Sequence, residues 1–504
     1  MQDIWLEKSL QAVPHLLTLL DREPSSPSYG CFDRQWWKYK VTDFVDARFQ
    51  EAALSLALLT KSDCEWKGDK QIAELAKAAC RFWAKIQAKD GSFDEYHPHE
   101  HSHVATAFSA WSIAAAVDEL NMKDEVVINA LAKAGDWLAK HTDTVVANHD
   151  AGAAAALMRI YKVTGDEKYL LYAKKKMELV LSLQDTEGWF NEYGGADIGY
   201  QSFSIYYLAD YWLNSHDCKV KAALEKAIEF FSYFVHPDGS AGGGYGSRGT
   251  NLILPAGFEM LAAEIPKAAQ IAAVLRDAIK DGGSIDPVAF DDRFVTGTLY
   301  SYLIAARYGD RQLQAGMLPS QGKPFSRHFQ NCGLYVRKTP KFYVVVNIKN
   351  GGAATVFKGK ELAYSDAGLV GILNGRTVTS AGFSTAIVSD SKVEINGSWR
   401  PVKSRYQKPS TQVAVRIATS IGLSGTVKKA ARRALVAGSK RSGDVYSRLI
   451  GVSDRVIIGD MVGKAREVTA LSSPVSFSTS TGLWKCYRNQ SKVPRKEGST
   501  VVIE

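Results

Sequence analysis

Asn148 and His149 stand directly before a small-residue helix in 145-VVANHDAGAAAALMRIYKVTGDEKY-169. Tyr200 stands before a second apolar helix in 188-GWFNEYGGADIGYQSFSIYYLADYW-212. An amide, an imidazole and a phenol brought together suit the removal of a proton from carbon. A carbon acid beside a carboxylate, such as C5 of a uronic acid, resists deprotonation because its enolate would carry two negative charges. An amide donor such as Asn148 can hydrogen-bond to the carboxylate and stabilise that charge. His149 and Tyr200 can then serve as base and as the acid that protonates the departing oxygen. Each residue also has a purely structural reading. Asn148 or Asp150 could cap the helix, His149 could be a structural or exposed histidine, and Tyr200 is one of 22 tyrosines.

Other polar residues cluster around these three. Asn191, Glu192, Tyr193 and Asp197 lie just before Tyr200 and could bind sugar hydroxyls or arrange the phenol. The stretch 240-SAGGGYGSRGTN-251, read as flexible, carries Arg248, suited to a carboxylate, and lacks the Lys and spacing of a phosphate loop. The segment 94-DEYHPHEHSHVATAF-108 sets His97, His99, His101 and His103 in alternation, with Glu95, Tyr96 and Glu100 among them. Such a run could bind a metal. It lacks the spacing and nearby cysteines of a closed zinc site, so the rim of a substrate cleft is the better reading. Asp291, Asp292 and Arg293 could line that rim or cap a helix, and Trp36, Trp37 and Tyr39 could stack on sugars or pack inside.

The elements that position these residues are helices up to about residue 310. Apolar residues recur at three-to-four spacing from 50-QEAALSLALLT-60 through 295-VTGTLYSYLIAARYG-309, about a dozen times. Turns of the form 90-DGSF-93, 187-EGWF-190, 238-DGSA-241 and 281-DGGS-284 punctuate them and give a weak repeat. Antiparallel helix pairs of this kind fit an α/α toroid or a solenoid, and a toroid leaves a cleft at one end, lined by the turns. The pattern then changes. Residues 311–327 read as a linker, and β-branched runs follow, including 342-FYVVVNIKN-350, 411-TQVAVRIATSIGL-423, 432-RRALVAG-438, 454-DRVIIGDMV-462 and 474-PVSFSTSTG-482. Those runs predict an antiparallel β-sandwich over 328–504.

The 504 residues suggest two or three domains. With 46% hydrophobic and 23% charged residues the composition is that of a soluble globular protein, and no apolar run is long enough to span a membrane. The N-terminus lacks the features of a signal peptide, so a cytoplasmic chain is expected, or a periplasmic or secreted one if a leader has been trimmed. Six scattered cysteines without a CxxC pair suggest reduced thiols. Residues 1–330 hold 34 Lys and Arg against 43 Asp and Glu, whereas residues 331–504 hold 28 against 10. A second half this basic should attract a polyanion.

On the Asn148-His149 pair at the head of a toroid helix, and Tyr200 in an aromatic, Gly-rich stretch 51 residues beyond His149, the chain resembles the heparinase II/III-type polysaccharide lyases. More distantly it is similar to toroidal alginate and chondroitin lyases. The resemblance implies an incomplete (α/α) toroid over 1–310, an antiparallel β domain, and β-elimination of a uronate-containing acidic polysaccharide. Some members hold a structural metal in the β domain, but no cluster for one is read here and no metal or cofactor is expected. It implies that Asn148 neutralises the carboxylate, that Tyr200 acts as base or acid, and that His149 assists. His328, in 325-FSRHFQNCGLYVRK-338, matches a further family histidine that reaches the cleft. Glu95, Tyr96, His99, His101, Glu192, Tyr193, Asp197, Arg248 and Arg337 are the expected substrate contacts. The chain departs from the pattern at 194-GGADIGYQ-201, which lacks the histidine that some members place after the tyrosine. Two other readings stay open: a toroidal glycoside hydrolase using two of Asp150, Glu192 and Asp197, and a non-catalytic binder of acidic glycans. No nucleic-acid signature is present, and no membrane insertion is expected.

Overall fold

The structure, a computed structural model, describes residues 3–143, 145–309, 316–382, 384–402, 408–423, 425–427, 443–471, 494–495 and 499–504. Its first part is helical: α1 (Ile4–Leu19), α2 (Arg34–Trp37), α3 (Ala52–Leu59), α4 (Lys70–Lys85), α5 (His103–Glu119), α6 (Glu125–Leu138), α7 (Ala147–Thr164), α8 (Glu167–Ser182), α9 (Ile198–Ser215), α10 (Cys218–Ser232), α11 (Ala256–Leu261), α12 (Pro266–Lys280) and α13 (Asp292–Tyr308).

Two kinds of helix alternate, and their sequences say why. Helices α3, α5, α7, α9, α11 and α13 are buried on nearly every side. Small residues such as Ala153–Ala156 in α7 let neighbours approach from all directions. Helices α4, α6, α8, α10 and α12 bury one face and turn Lys and Glu outward. The inner helices form a ring: α3 packs on α5, then α7, α9, α11 and α13 follow, and α13 packs back on α3. This is an α/α toroid.

The repeated turn leads from an outer helix to the next inner one. Gln184 Nε2 donates to Gly188 O at 3.1 Å and to Ala223 O of α10 at 2.8 Å. Gln87 repeats this with Gly91 O at 3.0 Å and Ala130 O of α6 at 2.8 Å. Gly188 has φ +98°, and a Cβ there would lie 2.3 Å from Lys226 O. The turn therefore requires glycine both for its left-handed backbone and for its contact with the next outer helix. The fourth "DG" turn differs: a Cβ on Gly282 would meet nothing.

Among the described residues the second part holds three five-stranded antiparallel sheets. The first is a meander of β1 (Phe325–Phe329), β2 (Leu334–Lys338), β3 (Phe342–Asn347), β4 (Ala353–Lys358) and β5 (Glu361–Ser365). The remaining strands are β6 (Leu369–Leu373), β7 (Arg376–Thr379), β8 (Ser384–Val388), β9 (Lys392–Ser398), β10 (Arg400–Pro401), β11 (Val445–Val452), β12 (Val456–Met461), β13 (Arg466–Ala470), β14 (Pro494–Arg495) and β15 (Ser499–Ile503). They form sheets in the orders β10-β7-β6-β13-β14 and β15-β12-β11-β9-β8.

The meander is covered on both faces. Leu334, Val336, Tyr343, Val345 and Phe357 join the core of the toroid. Tyr335, Phe342, Val344 and Val346 pack with Val393, Ile395, Ile450 and Ile458 of the β8–β15 sheet. All six residues of β3 are buried, which is why FYVVVN is apolar without alternation. Phe329 packs on Phe230, Tyr233 and Phe234, and Asn347 Nδ2 donates to Tyr245 O at 2.5 Å.

The run 411–423, expected as a strand, is instead the helix α14 (Pro409–Ser420). Its β-branched residues also fit a helical stripe, Val413, Ile417 and Ile421, and Pro409 sits at the first turn where proline favours helix. Strands β1, β5, β7, β9, β10, β13, β14 and β15 lie in polar or short runs that did not read as strands, and β1 starts inside the stretch read as a linker. The expected strands at 432–438 and 474–482 lie outside the described residues, as does Cys486. Among the described residues the cysteines are free thiols, and no helix is long and apolar enough to cross a membrane.

Candidate active site

The site is built on the starts of α5, α7 and α9. Helix α7 begins without a side-chain cap of its own, since Val146 occupies the cap position. Asn148 is not the cap either. Glu192, from the loop before α9, supplies the missing acceptor: its Oε1 takes the Asn148 backbone N–H at 3.1 Å and its Oε2 takes the Asn148 Nδ2 at 2.7 Å. Both residues are buried. Burial pushes the Glu192 carboxyl up to about 8, against the pull of the two Asn148 hydrogen bonds. At neutral pH this group is therefore mostly uncharged, and one hydrogen of the Asn148 amide is committed to it.

His149 follows on the same helical turn. Its Nδ1 lies 3.1 Å from Asp143 Oδ2, and its ring meets Phe108 of α5 edge-on at 5.9 Å. Burial lowers its pKa, and the Asp143 carboxylate opposes that shift. Gly152, one turn further along α7, leaves room for Phe108: a Cβ there would sit 2.4 Å from the ring.

Tyr200 lies in the first turn of α9. Asp197 caps that helix, its Oδ1 accepting the Tyr200 N–H at 3.2 Å. Asp197 Oδ2 accepts the backbone N–H groups of Arg248 at 2.8 Å and Thr250 at 3.3 Å. The 240–251 loop, expected to be flexible, is thus anchored on α9, and Ser247 Oγ ties it to Glu192 O at 2.7 Å. The Arg248 guanidinium stacks over the Tyr193 ring at 4.0 Å. Burial raises the Tyr200 pKa, with Arg248 pulling it down and Asp197 and Glu192 pushing it up. Glu192 is thus bonded to Asn148 and, once ionised, opposes loss of the Tyr200 proton.

A second group of charges joins Glu95, Tyr96 and Arg293, which the sequence reading named separately, to Arg48, Asp46 and Glu51, which it did not. Arg48 stacks on Phe108 at 4.7 Å and pairs with the buried Glu51. Arg293 pairs with Asp46 at 2.7 Å and with Glu95, while its guanidinium lies over Tyr96 at 4.9 Å. Burial pushes Asp46 up to about 7, against the Arg293 charge. These residues come from three distant stretches of chain, and only the closed ring brings them together.

The other expected site residues take varied places. Glu95 is buried in ion pairs with Arg48 and Arg293 and a hydrogen bond from Ser102, rather than offered to a ligand. Glu192 holds Asn148, and Asp197 spends its oxygens on backbone, so both position neighbours instead of lining a cleft. Tyr96 is exposed under Arg293. His99 is exposed with a left-handed backbone, its N–H donating to Asp94 at 2.8 Å, and His101 Nδ1 lies 2.9 Å from Asp90 and 2.7 Å from Ser92 Oγ. His328 does not join the group: it lies on β1, and the charge that acts on it is that of Glu187, on the turn after α8. Arg337 shares the face of β2 that carries Tyr335, turned towards the β8–β15 sheet and away from the toroid, as strand alternation dictates. Trp36 and Trp37 pack near Phe82, and Trp37 Nε1 donates to Leu19 O. Asp150 is held by Lys176 and His103, each at 3.3 Å, so the three carboxylates considered for a hydrolase are all engaged inside the protein. Among the described residues no group of three or more His, Cys, Asp or Glu is arranged to hold a metal ion.

Residues 37–251 match the family model of the ulvan lyase N-terminal domain, a stretch that contains Asn148, His149, Tyr200 and Arg248. A comparison with curated proteins finds no match. Among solved structures the chain is similar to the Streptomyces coelicolor A3 chondroitin AC lyase in complex with chondroitin sulphate. The identity is 13%, the match covers 93% of this chain and 67% of that one, and the TM-score is 0.57. A variant of the same lyase gives 11% identity, 93% and 67% coverage, and a TM-score of 0.54. A heparinase III gives 12%, 92% and 70%, with a TM-score of 0.46. The chondroitin lyase likeness shows the fold, a helical toroid followed by β sheets, and the ulvan lyase domain match over residues 37–251 supports a polysaccharide lyase.

Proposed function

We propose that this lyase cleaves a uronate-containing acidic polysaccharide by β-elimination, with Asn148 and Arg248 holding the carboxylate, His149 as base and Tyr200 as acid. The observation that carries this reading is the Asn148–Glu192 pair. A carboxyl group kept neutral by burial orients an amide without placing a negative charge where a substrate carboxylate must sit. The second hydrogen of the Asn148 amide is the one that carboxylate would take. Arg248, stacked on Tyr193, supplies a positive charge beside it.

The protonation states support the division of labour. Burial favours the neutral imidazole of His149, which can accept the C5 proton. Burial also keeps the Tyr200 phenol protonated, ready to give its proton to O4. The electrons of the C5–H bond become the C4–C5 double bond as the C4–O4 bond breaks. One product ends in an unsaturated uronate and the other in a free hydroxyl. The imidazolium then returns its proton to solvent and the phenolate is reprotonated.

The test is incubation with ulvan, chondroitin sulphate, heparin and alginate, following the ultraviolet band of the unsaturated uronate and the product masses. Unsaturated ends on at least one of these are expected. Products carrying only saturated ends, heavier by one water, would overturn the mechanism in favour of hydrolysis.

A further inference from the structure

We propose that Asp143 is the positioning residue of His149, holding the imidazole as the Nδ1–H tautomer so that Nε2 presents its lone pair to the cleft. This rests on the reading of His149 as the base. The two residues lie six apart, and the Asp143 Oδ2 to His149 Nδ1 distance is 3.1 Å. A carboxylate accepts and does not donate, so a proton must sit on Nδ1. The side chain of His149 retains 12% of its surface, so the ring is not sealed inside.

What sets this apart from an ordinary loop contact is the support behind Asp143. Asp150 Oδ2 accepts the Asp143 backbone N–H at 2.9 Å. Asp150 Oδ1 lies 3.3 Å from Lys176 Nζ, and the Lys176 side chain is only 4% exposed. Lys176 also donates to His141 O, two residues before Asp143. A buried lysine is costly unless paired, and here its pairing fixes the backbone that leads into Asp143. On the other side, the Val146 N–H donates to Asp143 O at 3.1 Å. Residues of α7, α8 and the loop thus converge on the orientation of one carboxylate.

The charged and titratable groups that act on His149 are Asp143 from the loop, His103 on α5 and Glu95 from the 94–102 loop. Of these, Asp143 is the one hydrogen-bonded to the ring. Its negative charge holds the imidazole pKa above the value that burial alone would give. Removing the charge should therefore move the acidic limb of the kcat/KM profile to lower pH even as the rate falls. A residue that merely braced the loop would lower rate and stability together and leave the limb in place.

Asp143→Asn and Asp143→Glu should be compared with the wild type for kcat, KM and pH profile on whichever polysaccharide the wild type cleaves. The amide that D143N introduces can donate to Nδ1 and so favours the wrong tautomer. We expect D143N to lose at least about tenfold in kcat, towards the 10²–10⁴-fold scale of general-base catalysis, with little change in KM and a downward shift of the acidic limb. D143E should recover part of the loss. Histidine-selective 15N NMR should show the Nδ1–H tautomer for His149 in the wild type and its loss in D143N, a readout that needs no substrate. Wild-type turnover with an unmoved limb in D143N, or an Nε2–H tautomer in the wild-type protein, would overturn the assignment. Failure of the wild type to form unsaturated ends would instead remove the β-elimination reading, while the tautomer measurement still decides what Asp143 does to His149.

Discussion

Glu192 meets Asn148 twice, taking the side-chain amide at 2.7 Å and the backbone N–H at 3.1 Å, and it does so fully buried with its carboxyl pushed up to about 8. Above that pH the group ionises beside the proposed seat of the substrate carboxylate. We expect kcat/KM to fall as pH rises past about 8, and Glu192→Gln, which keeps the shape without the charge, to abolish that limb. A pH–rate profile of the two proteins checks this.

The same pKa shift predicts how stability varies with pH. The folded protein holds a proton on Glu192 up to about 8, whereas an unfolded carboxyl loses it near the ordinary value. Between those limits the folded state binds more protons, so this group makes stability fall as pH rises, by up to about 1.4 kcal/mol per pH unit. Denaturant titrations across pH should show a shallower decline for Glu192→Gln than for the wild type.

Asn148→Ala should harm both chemistry and folding, for separable reasons. Loss of the carboxylate donor should lower kcat by about 10²–10³-fold, the scale of removing one oxyanion donor. Loss of the bond to buried Glu192 should cost about 1–3 kcal/mol. Comparing turnover with denaturant midpoints separates the two. Tyr200→Phe should cost activity on roughly the 10²–10⁴ scale, while the ring contact with Phe203 at 5.7 Å is kept. Its defect should shrink on a substrate whose leaving oxygen needs no proton, which single-turnover rates would reveal.

The repeated turn makes a prediction about the scaffold alone. Gly188→Ala places a Cβ 2.3 Å from Lys226 O at a φ of +98°, whereas Gly165→Ala, at φ +70°, meets nothing within 4 Å. Both substitutions strain the backbone by about 1 kcal/mol. Only Gly188→Ala must also push α10 away, so its melting temperature should fall clearly further.

Much of the toroid was readable because burial leaves a mark on composition. Helices such as α5 and α7 had to be small or apolar all round, and outer helices such as α4 had to be two-faced. Asn148, His149 and Tyr200 stood out in the sequence because each lies at the start of such a helix. Glu192 looked like a sugar ligand, since nothing in a one-dimensional text says that a carboxylate will be buried and bonded to an amide 44 residues earlier. Arg48 escaped for the same reason, and Arg293, read as a rim or cap residue, could not be seen to pair with Glu95, because they meet only when the ring closes. Arg337 was misjudged because its face depends on strand register, and α14 because Val, Ile and Thr at mixed spacing satisfy a period of two as well as one of about 3.6.

The double coverage of β3 has a practical corollary. Severing the chain between α13 and β1 would bare Phe230, Tyr233 and Phe234 on one fragment and Leu334, Val336, Tyr343 and Val345 on the other. Neither piece could shed so much grease into water and remain a well-behaved monomer. Expressed apart, the halves should clump or cling to chaperones; kept whole, they should melt in one cooperative step.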